Sequence, residues 1–319
     1  RSNPGMQEAV AFIQKGGLGQ VRVARGLCYK RRPSIGKVKG PQAVPKHVDF
    51  DLWTGPAPLK PLMREKLHYD WHWVRDTGNG DLGNQGIHQM DIARWILGEN
   101  QLSPRVISVG GRLGYEDDGN TANSQIVFHD YAKAPLIFEV RGLGSYAQNN
   151  QRPKYMGVEV GLVIDCEEGY MVIPSYSNAT AYSHSGKVIR KFSGGGDHFA
   201  NMIQAVRSRK KEDLNADIWE GHVSSALCHT ANISYYLGAH ASPGQVMESM
   251  QGDALSAESL GRMVEHLQVN DVDLNQTPLT MGVPLQMDET RTAFVDNDRA
   301  NEMLTRVYRR PFEVPSIIV

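Results

Sequence analysis

Residues 78–98, GNGDLGNQGIHQMDIARWILG, decide between two folds. Their opening, Gly78-Asn79-Gly80-Asp81-Leu82-Gly83, spells G-x-G-x-x-G. A dinucleotide-binding loop of that form leaves an apolar strand, opens a helix inside a βαβ unit and receives a pyrophosphate on free backbone N–H groups. The surroundings here argue against it. The preceding HYDWHWVRDT is aromatic and polar rather than an apolar central strand. Asp81 places a carboxylate where phosphate oxygens would sit, and no second βα unit follows. The glycines read instead as permitting a tight turn.

That turn leads into a helix, IHQMDIARWILG, for which Asn84 is well placed as N-cap. His88 falls in its first turn, with Asp91 three residues on and Trp95 a further four, all near one face. A helix N-terminus disfavours the imidazolium, so His88 is kept neutral near pH 7 and able to take or give a proton. The alternative is a core histidine with a satisfied hydrogen bond, and Asp91 has the alternative of pairing with Arg94.

Working backward, His68-Tyr69-Asp70-Trp71-His72-Trp73 reads as extended, with Trp71 and Trp73 on one side and Arg75 beyond. Aromatic faces beside polar groups suit sugar rings, although packing is their commoner use. His68 and His72 have zinc-ligand spacing for a helix, but no H-E-x-x-H glutamate accompanies them and the segment is not helical in pattern, so no metal site is assigned. Working forward, Ser193-Gly194-Gly195-Gly196-Asp197-His198 precedes a helix and reads either as an anion site at a helix N-terminus or as a hinge.

The rest of the chain fills in an α+β pattern. SNPGMQEAVAFIQKGG is a helix, capped by Asn3 with Pro4 in its first turn. QVRVARGLCYKRR is a strand, and residues 33–62 form an irregular excursion rich in Pro, Lys and Gly. A block of strands follows: RVISVGGRL, NSQIVFHDY, APLIFEVRGL, VEVGLVIDCEEGYMVIP and KVIRKFS. Their alternation and β-branched content favour an antiparallel sheet with one covered face. DHFANMIQAVRSRK and ADIWEGHVSSALCHTANISYYLGA are helices. A tail after about residue 240 holds a helix at SAESLGRMVEHL and an amphipathic one near NDRANEMLTRVYRR.

The totals bound what this fold serves. The 319 residues exceed one simple core, so two domains or a domain with an extension are expected. A net charge of −1 gives no electrostatic case for nucleic acid or an acidic membrane surface. No apolar run reaches the roughly 18–20 residues that span a bilayer. The three cysteines, Cys28, Cys166 and Cys228, are odd in number and widely spaced, and read as free buried thiols. No nucleophile elbow G-x-S-x-G is present.

Four segments together resemble one family: RSNPGMQEAVAFIQKGGLGQV, VDFDLWTGPAP, WHWVRDTGNGDLGNQGIHQMDIARWILG and the long run from GGGDHFANMIQ to NISYYLG. They look like the glucose–fructose oxidoreductase/inositol dehydrogenase (Gfo/Idh/MocA) family, most of all its bacterial branch with an extended C-terminal region. The resemblance implies a large, open, mostly antiparallel sheet with helices on one face, the family's C-terminal substrate domain. It implies that residues 1–19 are the last helix of a dinucleotide-binding domain, 20–240 the substrate and oligomerisation domain, and 241–319 an extension. NAD or NADP would be held mainly by an N-terminal domain upstream of Arg1, so no cofactor-binding residue is assigned here.

By the same resemblance the family's D-x-x-x-H motif falls on Asn84-Gln85-Gly86-Ile87-His88. His88 then carries the acid/base role, and Asn84 replaces a carboxylate that Asp91 or Asp81 would have to supply. Asn84, Asp91, Trp71 and Trp73 would orient a sugar or polyol, with Arg75 and His198 as further substrate contacts. The expected partners are that small molecule and further copies of the chain through the open sheet. The compartment stays open between cytoplasm and, by resemblance, periplasm. The rival readings are a sugar-binding or assembly module without catalysis, and a metal-dependent hydrolase built on His68 and His72.

Overall fold

The computed structural model describes residues 1–250 and 253–315. In chain order it runs α1 (Pro4–Gln14), β1 (Val21–Tyr29), α2 (Phe50–Thr54), a 3-10 turn (Asp70–Trp73), α3 (Gly80–Asn84) and α4 (Gly86–Leu97). Then come β2 (Arg105–Gly111), β3 (Ser124–His129), β4 (Leu136–Arg141), β5 (Val160–Cys166), β6 (Gly169–Ile173), β7 (Asn178–Ser183) and β8 (Val188–Ser193). They are followed by α5 (His198–Ser208), α6 (Ile218–Tyr236), β9 (Ala239–Ala241), α7 (Pro243–Ser249), α8 (Ala254–Gln268), β10 (Leu279–Met281), β11 (Leu285–Gln286) and α9 (Asp298–Glu302).

The fold is α+β, built on one open sheet of eleven strands among the described residues. Its order is β8-β7-β6-β5-β1-β4-β3-β2-β10-β9, with β11 also pairing β2. Only β1 and β4 run parallel; the other pairs are antiparallel. The long path from β1 to β4 carries α2 to α4, the crossover a parallel pair requires.

Alternation along β1 sorts the two faces. Ala24 and Cys28 join Leu136, Phe138, Val140, Leu162 and Ile164 in one core cluster with α1, α4 and α6. Val23 joins Ile126, Ile137, Val109 and the α8 residues Leu260, Met263 and Leu267 in a second. Both faces of β1 are covered, so it is buried from Val23 onward rather than alternately wet and dry. The helical layer on one face meets the expectation; α7 and α8, from the tail, additionally cover the β2–β3–β4–β1 part of the other face. The tail also extends the sheet itself through β9, β10 and β11.

Local chemistry explains the first layer. Asn3 Oδ1 accepts from Met6 N at 2.9 Å and Pro4 opens α1, as the sequence implies. Met6, Ala9, Val10 and Ile13 form its buried stripe. α4 lies close on the sheet because Gly86 and Gly26 leave room: a Cβ on either would come within 2.9 Å of the Phe138 ring.

Three expectations are corrected. Residues 70–73 form a 3-10 turn rather than an extended run, because Tyr69 enters it at φ 65°. β7, NATAYS, is a strand the pattern did not reveal. The helix near residues 297–310 is only Asp298–Glu302, since Arg309 ties the following chain to α2.

Candidate functional site

The opening stretch forms a helix–helix corner. Gly80 takes φ 63° and starts α3, whose Asp81 is 1% exposed and bridged by Arg32, with Arg32 Nε donating to Oδ2 at 2.8 Å. A dinucleotide needs free N–H groups and no anion at this point. The buried Asp81–Arg32 pair therefore does not fit a pyrophosphate, and Asp81 is likewise unavailable to replace the missing family carboxylate. Asn84 closes α3 instead of capping α4; Gln85 is the α4 N-cap, without a side-chain cap bond. The sequence misplaced the cap because it read as a loop the residues that form the short helix α3.

His88 lies in the first turn of α4, exposed, with its ring 5.0 Å from that of Tyr176 at an angle of 44°. Tyr176 sits between β6 and β7, and its hydroxyl accepts from the Gln85 side-chain amide. Partial burial lowers the imidazole pKa, and the pull of Asp91 only partly opposes this. The ring is thus neutral at pH 7, with an open edge beside a phenol and an amide. Tyr176 and Gln85 were not foreseen. Nothing local marks Tyr176, since its loop reaches α4 only through the sheet.

Asp91 is elsewhere engaged. It accepts from Arg1 Nη2 at 3.0 Å and Ser224 Oγ at 2.7 Å, with Arg94 at 3.5 Å. Burial pushes its carboxyl up, but the Arg1 hydrogen bond and charge, with Ser224 and Arg94, bring it below its usual range. Its place is an ion-pair network joining the chain start, α4 and α6, which Glu220 completes through Arg1 at 2.8 Å.

The aromatic candidates separate. Trp73 is 4% exposed, with the Arg32 guanidinium 5.0 Å from its ring, so it is packing. Trp71 is half-buried, one face covered by His72 at 3.7 Å, and it lines a groove of about 520 Å³ with Asp76, Thr77 and Tyr308. Arg75 lies over the Tyr236 ring at 4.0 Å. His198 begins α5, exposed and against Phe199 at 4.2 Å, in a helix with no buried residue. No contact brings Arg75 or His198 to His88. Among the described residues no group of three or more His, Cys, Asp or Glu is arranged around a metal position, and no helix is long and apolar enough to cross a membrane. Cys28, Cys166 and Cys228 are free and buried, as expected.

Comparison with known proteins gives a partial family match. Residues 19–145 match the profile described as "Oxidoreductase family, C-terminal alpha/beta domain" of the Gfo/Idh/MocA group. No curated protein matches the sequence. Solved structures with similar folds include an oxidoreductase from Thermotoga maritima (13% identity, 72% of this chain and 57% of that one, TM-score 0.43). Another is the WlbA dehydrogenase from Bordetella pertussis in complex with NADH and UDP-GlcNAcA (14%, 71% and 56%, 0.44). A third is an oxidoreductase from Agrobacterium radiobacter in complex with NAD+, L-tartaric acid and magnesium (14%, 73% and 59%, 0.44). The chain spans less than two thirds of the length of each. Its stretch from residue 19 to 145, which holds β1, the crossover and His88, is thus similar to the C-terminal alpha/beta domain of that oxidoreductase family.

Proposed function

We propose that this chain is the substrate-binding part of an NAD- or NADP-dependent oxidoreductase acting on a hydroxyl of a sugar, polyol or glycoside. The observation that carries the reading is His88: a neutral, exposed imidazole in the first turn of α4, inside the family-matched stretch, beside the Tyr176 phenol. His88 takes the hydroxyl proton as the C–H bond is oxidised, and returns it in the reverse direction. Tyr176 and Gln85 supply a donor and acceptor pair for a neighbouring hydroxyl. A nicotinamide would supply the hydride acceptor in this reading; the 78–83 stretch, with Asp81 buried against Arg32, offers it no cradle.

In this reading residues 1–19 close a dinucleotide domain, 20–240 bind substrate and 241–319 are an added extension. Self-association through the sheet is confined to its β5–β8 half, because α8 already occupies the remainder of that face.

The test is steady-state kinetics of full-length protein with His88→Asn. Turnover is expected to fall roughly 10²–10⁴-fold, with KM little changed. Unchanged turnover in the variant rules out the assigned role. Asn84→Asp, which restores the family's carboxylate, is expected to shift the acidic limb of the pH–rate profile upward.

A further inference from the structure

α5 is well formed and yet bare. The Asp197 carboxylate caps it, accepting from Ala200 N at 2.9 Å, but none of its 11 residues is buried. Phe199, Met202, Ile203 and Val206 recur at i, i+3, i+4 and i+7, which is one stripe of a helix, and each is 50–69% exposed. The inner side is held through a polar residue: Asn201 Nδ2 donates to Asp213 O at 2.6 Å, and its Oδ1 accepts from Asn215 N at 3.0 Å. Single exposed apolar side chains are ordinary, whereas a continuous apolar stripe on one helix marks an interaction surface. A helix this short also has too little propensity to stand in water unsupported. The stripe calls for a partner.

The residues around residue 1 decide which partner reaches it. No Cβ fits at Gly196 against the Ser2 carbonyl and Asn3, so the stretch leading into α5 lies directly on residues 2 and 3. The Asn3 side-chain amide donates to the Gly194 carbonyl, and the Asn215 amide to Ser2 Oγ at 3.0 Å. Arg1 is pinned as well: its guanidinium meets Asp91 at 3.0 Å and Glu220 at 2.8 Å and lies over the Trp95 ring at 5.2 Å. A body attached at residue 1 therefore hangs on no loose linker and starts at the N-terminal end of α5. That helix is about 16 Å long, and a domain of about 100 residues, with a radius of gyration of about 13 Å, is large enough to span the whole stripe.

Magnitudes favour such a domain over a second copy. A directly tethered domain acts at an effective concentration of about 1 mM, against about 1 μM for a free copy, a preference of about a thousandfold.

We propose that the apolar stripe of α5 is the seat of the dinucleotide domain that the reading above places before residue 1. The inference rests on that reading and gives the domain its contact surface. α5 is then an interdomain element, and His198 at its start serves that contact rather than the His88 pocket.

The test is hydrogen exchange, read by mass spectrometry on full-length wild type and Ile203→Asp, with sedimentation in parallel. Ile203 is half exposed, so its substitution leaves the sheet intact, and Val206→Asp repeats the test at a second exposed position. In wild type the α5 amides are expected to exchange at least about a hundredfold slower than those of an unsupported helix, at every protein concentration. Ile203→Asp should remove that protection and, reciprocally, speed exchange in the domain before residue 1, while β1, β4 and β5 stay unchanged. Unprotected α5 in a wild type that reduces nicotinamide overturns this inference alone. So does protection that grows with protein concentration and vanishes as a dimer dissociates, which assigns the stripe to a second copy. Loss of α5 protection in Ile203→Asp with no reciprocal change before residue 1 overturns it too. A full-length mass with no room for a dinucleotide domain is a separate result, which removes the function proposed above together with this inference.

Discussion

The two faces of the sheet are held by different physics. On one, α1, α4 and α6 pack Ala, Val, Leu, Ile and Met against Phe138 and its neighbours, the close approach is set by glycines, and the buried ion pairs of Arg94 lie between α4 and α6. On the other, α8 brings an apolar stripe but also a buried charge hub. Glu139, fully buried, accepts from Arg25 at 2.7 Å, Tyr29 at 2.7 Å, Arg141 at 2.9 Å and Arg262 of α8 at 3.1 Å. Burial pushes the Glu139 carboxyl up, and Arg141, Arg262 and Arg25 overcome this and take it down to about 2. The apolar face tolerates small adjustments of position. The charged face fixes α8 in one register, because a displaced α8 leaves charges buried without partners.

This contrast is broken most severely at its hub. Glu139→Gln strands the Arg141 guanidinium, leaves Arg25 and Arg262 with Glu258 alone, and is expected to cost about 3–5 kcal/mol by urea unfolding. Leu227→Ala, in the apolar layer, is expected to cost about 2–5 kcal/mol and to leave α8 in place, as read by hydrogen exchange.

Acid sharpens the difference. Burial depresses His129, on the α6 side, to about 3 and His266, in α8, to about 4. Neutral imidazole is the folded form, so both faces lose stability as pH falls below about 6.5. Glu139 adds a later loss on the α8 face alone: its contribution is intact above about 4.3 and disappears as pH falls toward about 2. Wild type and Glu139→Gln should therefore converge in stability as pH approaches about 2. Parallel curves throughout would remove the hub from the account. The smallest effect is at the edge of the apolar layer, where Asn3→Ala removes the α1 cap for about 1 kcal/mol, measured by the same unfolding.

Much of the apolar face was legible in the sequence, because its helices carry caps and stripes and its strands carry β-branched runs. β7 escaped because Asn178-Ala179-Thr180-Ala181-Tyr182-Ser183 is polar and small, and its pairing with β6 and β8 defines it. The α8 face was not legible. SAESLGRMVEHL announces an amphipathic helix, but Arg25, Glu139 and Arg262 are far apart in sequence and only the sheet register brings them together. The same limit applies at the candidate site. His88 was visible from its position near a helix start and from the family motif, whereas Tyr176 meets it only through the fold. Trp71 and Trp73 were treated alike because a period of two hides which ring a 3-10 turn buries.

The most direct measurement is nicotinamide reduction by full-length protein. NAD+ or NADP+ would be supplied with a panel of sugars, polyols and glycosides, and absorbance at the reduced cofactor followed. The account predicts substrate-dependent reduction in wild type that His88→Asn largely abolishes while sugar binding persists. Saturable sugar binding with no redox change of either nicotinamide under any substrate would contradict it, and would make the chain a carbohydrate-binding module on an oxidoreductase fold.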